Sequence, residues 1–80
     1  MNENQVIKKL ENIFIKNFKI KKKQLKSLSI GTFYKWDSLA HIRLMIEIEK
    51  KYQIVINNNT SYTLTSYNKI RDYLIKFLVK

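Results

Sequence analysis

Apolar residues recur at helical spacing in three stretches of the chain. Between residues 3 and 18, Ile7, Leu10, Phe14 and Phe18 lie three or four positions apart with Val6 and Ile13 beside them, which predicts an amphipathic helix with a polar, basic outer face. A second helix is predicted from Asp37 or Ser38 to about Tyr52. A third starts after Ser66, a good N-cap residue, and places Tyr67, Ile70, Leu74, Phe77 and Leu78 on one face. Asn57 to Thr65 is polar and has room for one short helical turn. Ile54, Val55 and Ile56 have the composition of a strand, but no second strand pattern exists to pair with them. Between the first two helices, Leu25, Leu28, Ile30 and Phe33 dot a long connection that holds the only glycine, Gly31, so this loop is expected to have buried anchors. The expected fold is all-α: a small bundle of three longer helices and one short one, with a long first loop, in a single domain over residues 1–80.

The second helix carries more apolar surface than one core face needs. At about 100° per residue, Leu44, Met45, Ile48 and Tyr52 fall on one side, as a core face requires. Leu39, Ile42 and Ile46 form a narrower stripe elsewhere, bordered by Arg43, Glu49 and Lys50. An exposed apolar stripe rimmed by charge has the character of a docking surface; the alternative is a helix wrapped by the bundle on both sides. His41, the only histidine, falls on the core-facing side with no second ligand or nucleophile near it. A packed histidine is expected there rather than a metal ligand or a catalytic dyad. Trp36 is expected to pack at the loop that leads into this helix.

Eighty residues suffice for one small core and are too few for an enzyme with a deep cleft. The chain has no cysteine, hence no disulfide, no thiolate metal site and no thiol of its own. Its uncharged apolar runs are too short to span a membrane, and its beginning lacks a signal-peptide core, so the expected location is the cytoplasm. The formal charge of +10 points toward nucleic acid or an anionic surface. Much of it has a blander source: 14 lysines, 12 isoleucines and 8 asparagines accompany a single alanine, a single glycine and no proline, the composition that AT-rich codons produce. Lys16, Lys19, Lys21, Lys22, Lys23 and Lys26 form an acid-free basic run. It is the best case for a helical module binding nucleic acid or an anionic surface, but it lacks an interleaved aromatic platform and a recognisable recognition helix.

The start of the second helix carries the candidate chemistry. Asp37 suits the N-cap, which puts Ser38 at the first helical position with its hydroxyl near unpaired backbone N–H groups. A phosphate ester on that hydroxyl would be favoured by the positive end of the helix dipole. Asp and Ser open many ordinary helices, so the tripeptide Asp37-Ser38-Leu39 alone says little. The spacing that follows says more, with Ile42, Leu44, Ile46, Ile48, Glu49 and Tyr52 after it and Ile56, Leu64, Thr65, Ile70, Tyr73 and Leu74 beyond. Over about residues 33 to 75 this pattern resembles the acyl carrier protein family, and the first helix agrees by pattern only.

The resemblance implies a small acyl-carrier-like four-helix bundle with no catalytic activity of its own. It implies that a phosphopantetheinyl transferase attaches 4'-phosphopantetheine from coenzyme A to Ser38, with Asp37 helping to hold magnesium during the transfer. The arm's thiol would then carry acyl or aminoacyl groups as thioesters between loading and acyl-using enzymes, which suits a cysteine-free, monomeric chain. Leu39, Ile42 and Ile46 stand where carriers contact their enzymes, with Arg43 and Lys50 among them. Departures from the family are also visible. Carriers are typically acidic along this helix, whereas Arg43, Lys50 and Lys51 stand here beside Glu47 and Glu49, and Asn57, Asn58 and Asn59 replace an acidic stretch. Trp36 replaces the usual glycine two residues before the serine. These departures favour a dedicated carrier of a specialised biosynthetic pathway over a housekeeping fatty-acid carrier.

Overall fold

A computed structural model describes residues 1–79 and is all-α. Helix α1 spans Glu3–Phe18 and opens with a capping box: Asn2 Oδ1 accepts from the Gln5 N–H at 2.8 Å, and Gln5 Oε1 accepts from the Asn2 N–H at 3.0 Å. It ends at Lys19 in the left-handed conformation (φ 52°), whose N–H bonds the Ile15 carbonyl. Helix α2, Ser38–Tyr52, ends the same way at Gln53 (φ 56°). This terminal geometry favours glycine, but the only glycine is used at Gly31 (φ 92°) in the first loop, so Lys19 and Gln53 adopt it at some conformational cost. Helix α3, Asn58–Thr63, is capped by Asn57, and α4, Tyr67–Leu78, by Ser66. The polar stretch thus supplies the expected short helix. Residues 54–56 form no strand.

The first loop contains one element that periodicity did not predict, a 3-10 helix over Lys22–Ser27. It buries Leu25 and is followed by buried Leu28. Beyond it, the Tyr67 N–H donates to the Leu28 carbonyl (3.1 Å) and the Ile30 N–H to the Thr65 carbonyl (2.8 Å), tying the loop to the start of α4. Helix α1 packs against α2, α4 and the 3-10 helix.

The buried apolar side chains form one cluster. Phe14 lies at its centre, edge-on to Trp36 (ring centroids 5.4 Å apart) and to Tyr67 (5.1 Å). Full burial of side chains such as Leu10, Phe14, Ile48 and Leu74 contributes about 1.5–3 kcal/mol each. Phe77 corrects the sequence expectation, because it is 53 % exposed rather than part of the core face of α4. At about 100° per residue it lies about 80° from Tyr67, at the edge of the stripe. There it stacks on Tyr73 at 5.8 Å instead of entering the core.

Candidate functional site

Asp37 stands in extended conformation before α2, and its Oδ1 accepts the Ala40 N–H at 2.9 Å. The Asp37 carbonyl accepts the His41 N–H at 2.9 Å, the first bond of the helix. Ser38 is therefore the first helical residue, and it is exposed. None of the side-chain hydrogen bonds among the described residues engages its hydroxyl. The opening N–H groups of a helix have no intrahelical acceptor, and Asp37 satisfies one of them. Negative charge esterified to Ser38 would meet the others and the positive end of the α2 dipole.

The two apolar faces of α2 separate cleanly. His41, Leu44, Met45, Ile48 and Tyr52 are buried, while Leu39, Ile42 and Ile46 are 56 %, 57 % and 47 % exposed. The bundle therefore covers one face only, and the second stripe is open surface. Arg43 and Lys50, at its border, are exposed as well.

Three residues lock the serine-bearing end of α2 to its neighbours. The indole Nε1–H of Trp36 donates to His41 Nδ1 at 3.0 Å, and the two rings stack at 5.9 Å. An indole nitrogen only donates, so Nδ1 is the acceptor and the neutral imidazole carries its proton on Nε2. That proton is directed at the Ser61 carbonyl, 2.9 Å away in α3. His41 is thus a packed, doubly bonded core histidine, as its position in the sequence suggested. Trp36 is 1 % exposed and belongs to the core beneath the serine loop.

Beside Ser38 a groove of about 430 Å³ opens between α2 and α3. Ser38, His41 and Ile42 form one wall, Asn58, Ser61 and Tyr62 the other, and Ile30 and Thr65 close the end. Its walls mix hydroxyl and amide groups with two isoleucines and a tyrosine ring. The contribution of α3 was not visible in the sequence, because a six-residue polar helix has no periodicity to mark which side chains face inward.

The lysine run does not act as one patch. Lys16 belongs to α1 and borders α2 beside Glu47 and Lys50, whereas Lys22, Lys23 and Lys26 flank a separate depression with Glu11 and Tyr67. Lys22 pairs with Glu11 at 3.8 Å. Among the described residues no cluster of His, Asp or Glu is arranged to hold a metal ion, and no helix is long and apolar enough to cross a membrane. Comparison of the chain with protein-family models, with curated proteins and with solved structures finds no match.

Proposed function

We propose that this chain is a carrier protein, converted on Ser38 to a 4'-phosphopantetheine ester and shuttling thioester-bound acyl or aminoacyl groups between enzymes. The observation that supports this most is the conjunction at α2. An exposed serine opens the helix behind an aspartate cap, and an open apolar stripe of Leu39, Ile42 and Ile46 runs on from it while the opposite face is sealed into the core.

In this reading the Ser38 hydroxyl oxygen bonds the phosphorus of the phosphopantetheine half of coenzyme A, the pyrophosphate bond breaks, and the nucleotide half leaves. The hydroxyl proton passes to the transferase. Asp37 would help to hold a magnesium ion, which would supply charge balance for the phosphates, while the same carboxylate keeps the helix start in place. The arm supplies the thiol that the chain itself lacks. Leu39, Ile42 and Ile46 make the apolar contact with each enzyme, and Arg43 and Lys50 select among enzymes by charge. The chain performs no bond-making step unaided. The acyl-carrier-like four-helix bundle, a cytoplasmic monomeric state and a place in a specialised biosynthetic pathway belong to the same proposal.

Intact-protein mass after co-expression with a broad-specificity phosphopantetheinyl transferase tests it. The wild-type chain should gain the mass of one phosphopantetheine and Ser38→Ala should gain none. Modification that persists in Ser38→Ala, or a wild-type chain left unmodified by every transferase tried, would overturn the reading.

A further inference from the structure

Three shallow depressions follow one another along α2, each sharing a wall with the next, and α1 residues line the first and the third. The first, of about 430 Å³, lies near the serine-bearing end between Phe18 and Arg43. Arg43 is also a wall of the second, about 200 Å³, together with Ile46 and Lys50. Lys50 and Glu47 continue into the third, about 250 Å³, which Lys16 and Lys51 complete. Arg43, Ile46 and Lys50 are three and four residues apart, so they line up along one face of α2 over about 10 Å.

The furrow is positively charged because Lys16, Arg43, Lys50 and Lys51 line it against a single carboxylate, Glu47. Glu47 accepts a hydrogen bond from Asn17 of α1 at 3.2 Å, and the other acid of α2, Glu49, accepts the Ile56 N–H at 2.8 Å. The two ion pairs among the described residues, Lys22–Glu11 and Arg71–Asp72, lie elsewhere. Lys16, Arg43, Lys50 and Lys51 therefore face solvent with no carboxylate in ion-pair range among those residues. Ile46 lines this furrow and also belongs to the open apolar stripe, so the cationic and apolar surfaces are continuous.

We infer that this furrow seats an acidic, leucine- or isoleucine-bearing segment of a partner protein, a proposal that rests on the carrier reading and names the chemistry of its partner. Carboxylates on that segment pair with Arg43, Lys50 and Lys16, while its apolar residues cover Leu39, Ile42 and Ile46. Leu39, Ile42 and Ile46 give nucleic-acid bases no stacking platform, and Tyr34 at the first depression is a single exposed ring rather than a series of them, so the apolar half of this surface fits a protein. A partner with a basic docking face would meet like charge here and be rejected.

The test is calorimetric titration of the unmodified chain with a synthetic helical peptide of about 16 residues bearing Glu on one face and Leu on the next. A lysine counterpart, a single-stranded oligonucleotide and anionic vesicles serve as parallel titrants. The acidic peptide should bind, and the double variant Arg43→Glu/Lys50→Glu should bind about tenfold more weakly. The control Lys21→Glu/Lys23→Glu, with the same change in net charge on the remote loop, should lose less than about threefold. Equal losses in the two variants would mean attraction by net charge alone and would overturn the proposal. So would absent peptide binding, or tighter binding of oligonucleotide or vesicles with the same dependence on Arg43 and Lys50. Ser38→Ala should titrate like wild type, so the furrow is judged by binding and the carrier reading by mass, and either can fail without the other.

Discussion

Trp36 and His41, five residues apart, meet through a single buried hydrogen bond of 3.0 Å, and His41 passes the connection on to the Ser61 carbonyl. The serine loop, α2 and α3 are thereby joined through one side chain. His41→Ala strands the Trp36 N–H in the core, which costs about 1–3 kcal/mol before the lost packing is counted. His41→Asn restores an acceptor and should recover part of that loss. Urea denaturation followed by circular dichroism measures both, and an unchanged midpoint for His41→Ala would contradict the linking role.

A second buried bond makes stability depend on alkaline pH. The Tyr52 hydroxyl donates to the Val6 carbonyl at 2.7 Å. Burial first, and the neighbouring Tyr67 second, hold the Tyr52 phenol far above its ordinary value. Tyr67 is also raised, by burial and then Glu11, with Arg71 opposing. Folded-state values above the unfolded value of about 10 mean that this stabilisation is complete below pH 10 and is lost as pH rises toward the folded values. Tyr52→Phe should lose about 1 kcal/mol at neutral pH and show a shallower fall in urea midpoint between about pH 9.5 and 11.5. Parallel curves for the two proteins would refute the assignment.

Asp37 caps α2, and the carrier reading gives it a second, separable duty as a cation contact. Asp37→Ala should cost about 1 kcal/mol of stability through the lost cap, whereas Asp37→Asn should cost little because the amide oxygen caps nearly as well. Both should slow phosphopantetheinylation under the carrier reading, since neither retains the carboxylate. If Asp37→Asn is modified at the wild-type rate, Asp37 serves the helix alone.

Neighbouring isoleucines on α2 should behave oppositely. Ile48 is fully buried and Ile46 is 47 % exposed. Ile48→Ala should destabilise by about 2–5 kcal/mol, and Ile46→Ala by no more than about 0.5 kcal/mol. Ile46→Ala should instead weaken binding of the acidic peptide. A large stability loss at Ile46 would mean that the stripe supports the fold.

Much of this was legible because it follows from spacing. The boundaries of α2, the Asp37 cap, the burial of His41 and the separateness of the Leu39, Ile42 and Ile46 stripe are consequences of helical periodicity and N-cap chemistry, whereas the openness of that stripe was one of two arrangements the spacing allowed. The 3-10 helix at Lys22–Ser27 was not legible, since it turns on i to i+3 bonds and buries only Leu25 among lysines. Nor were the Leu28–Tyr67 and Ile30–Thr65 bonds, which join backbone groups far apart in sequence and leave no mark on side-chain type. The groove beside Ser38 depends on where α3 lands, and the furrow depends on how α1 sets Lys16 beside Arg43, Lys50 and Lys51 of α2.

The Trp36–His41 contact also gives the chain a spectroscopic reporter. Trp36 is the only tryptophan, and its ring lies stacked on an imidazole two residues before the serine. Light absorbed at the red edge of the protein spectrum therefore excites a single indole in a dry, aromatic setting, hydrogen-bonded to the imidazole it stacks on. Any ligand, modification or partner that lifts α3 away from α2 would pull Ser61 from His41 and loosen the stack. The emission would change in intensity and colour with no label attached, so opening of the groove beside Ser38 can be followed in real time through the light of one residue.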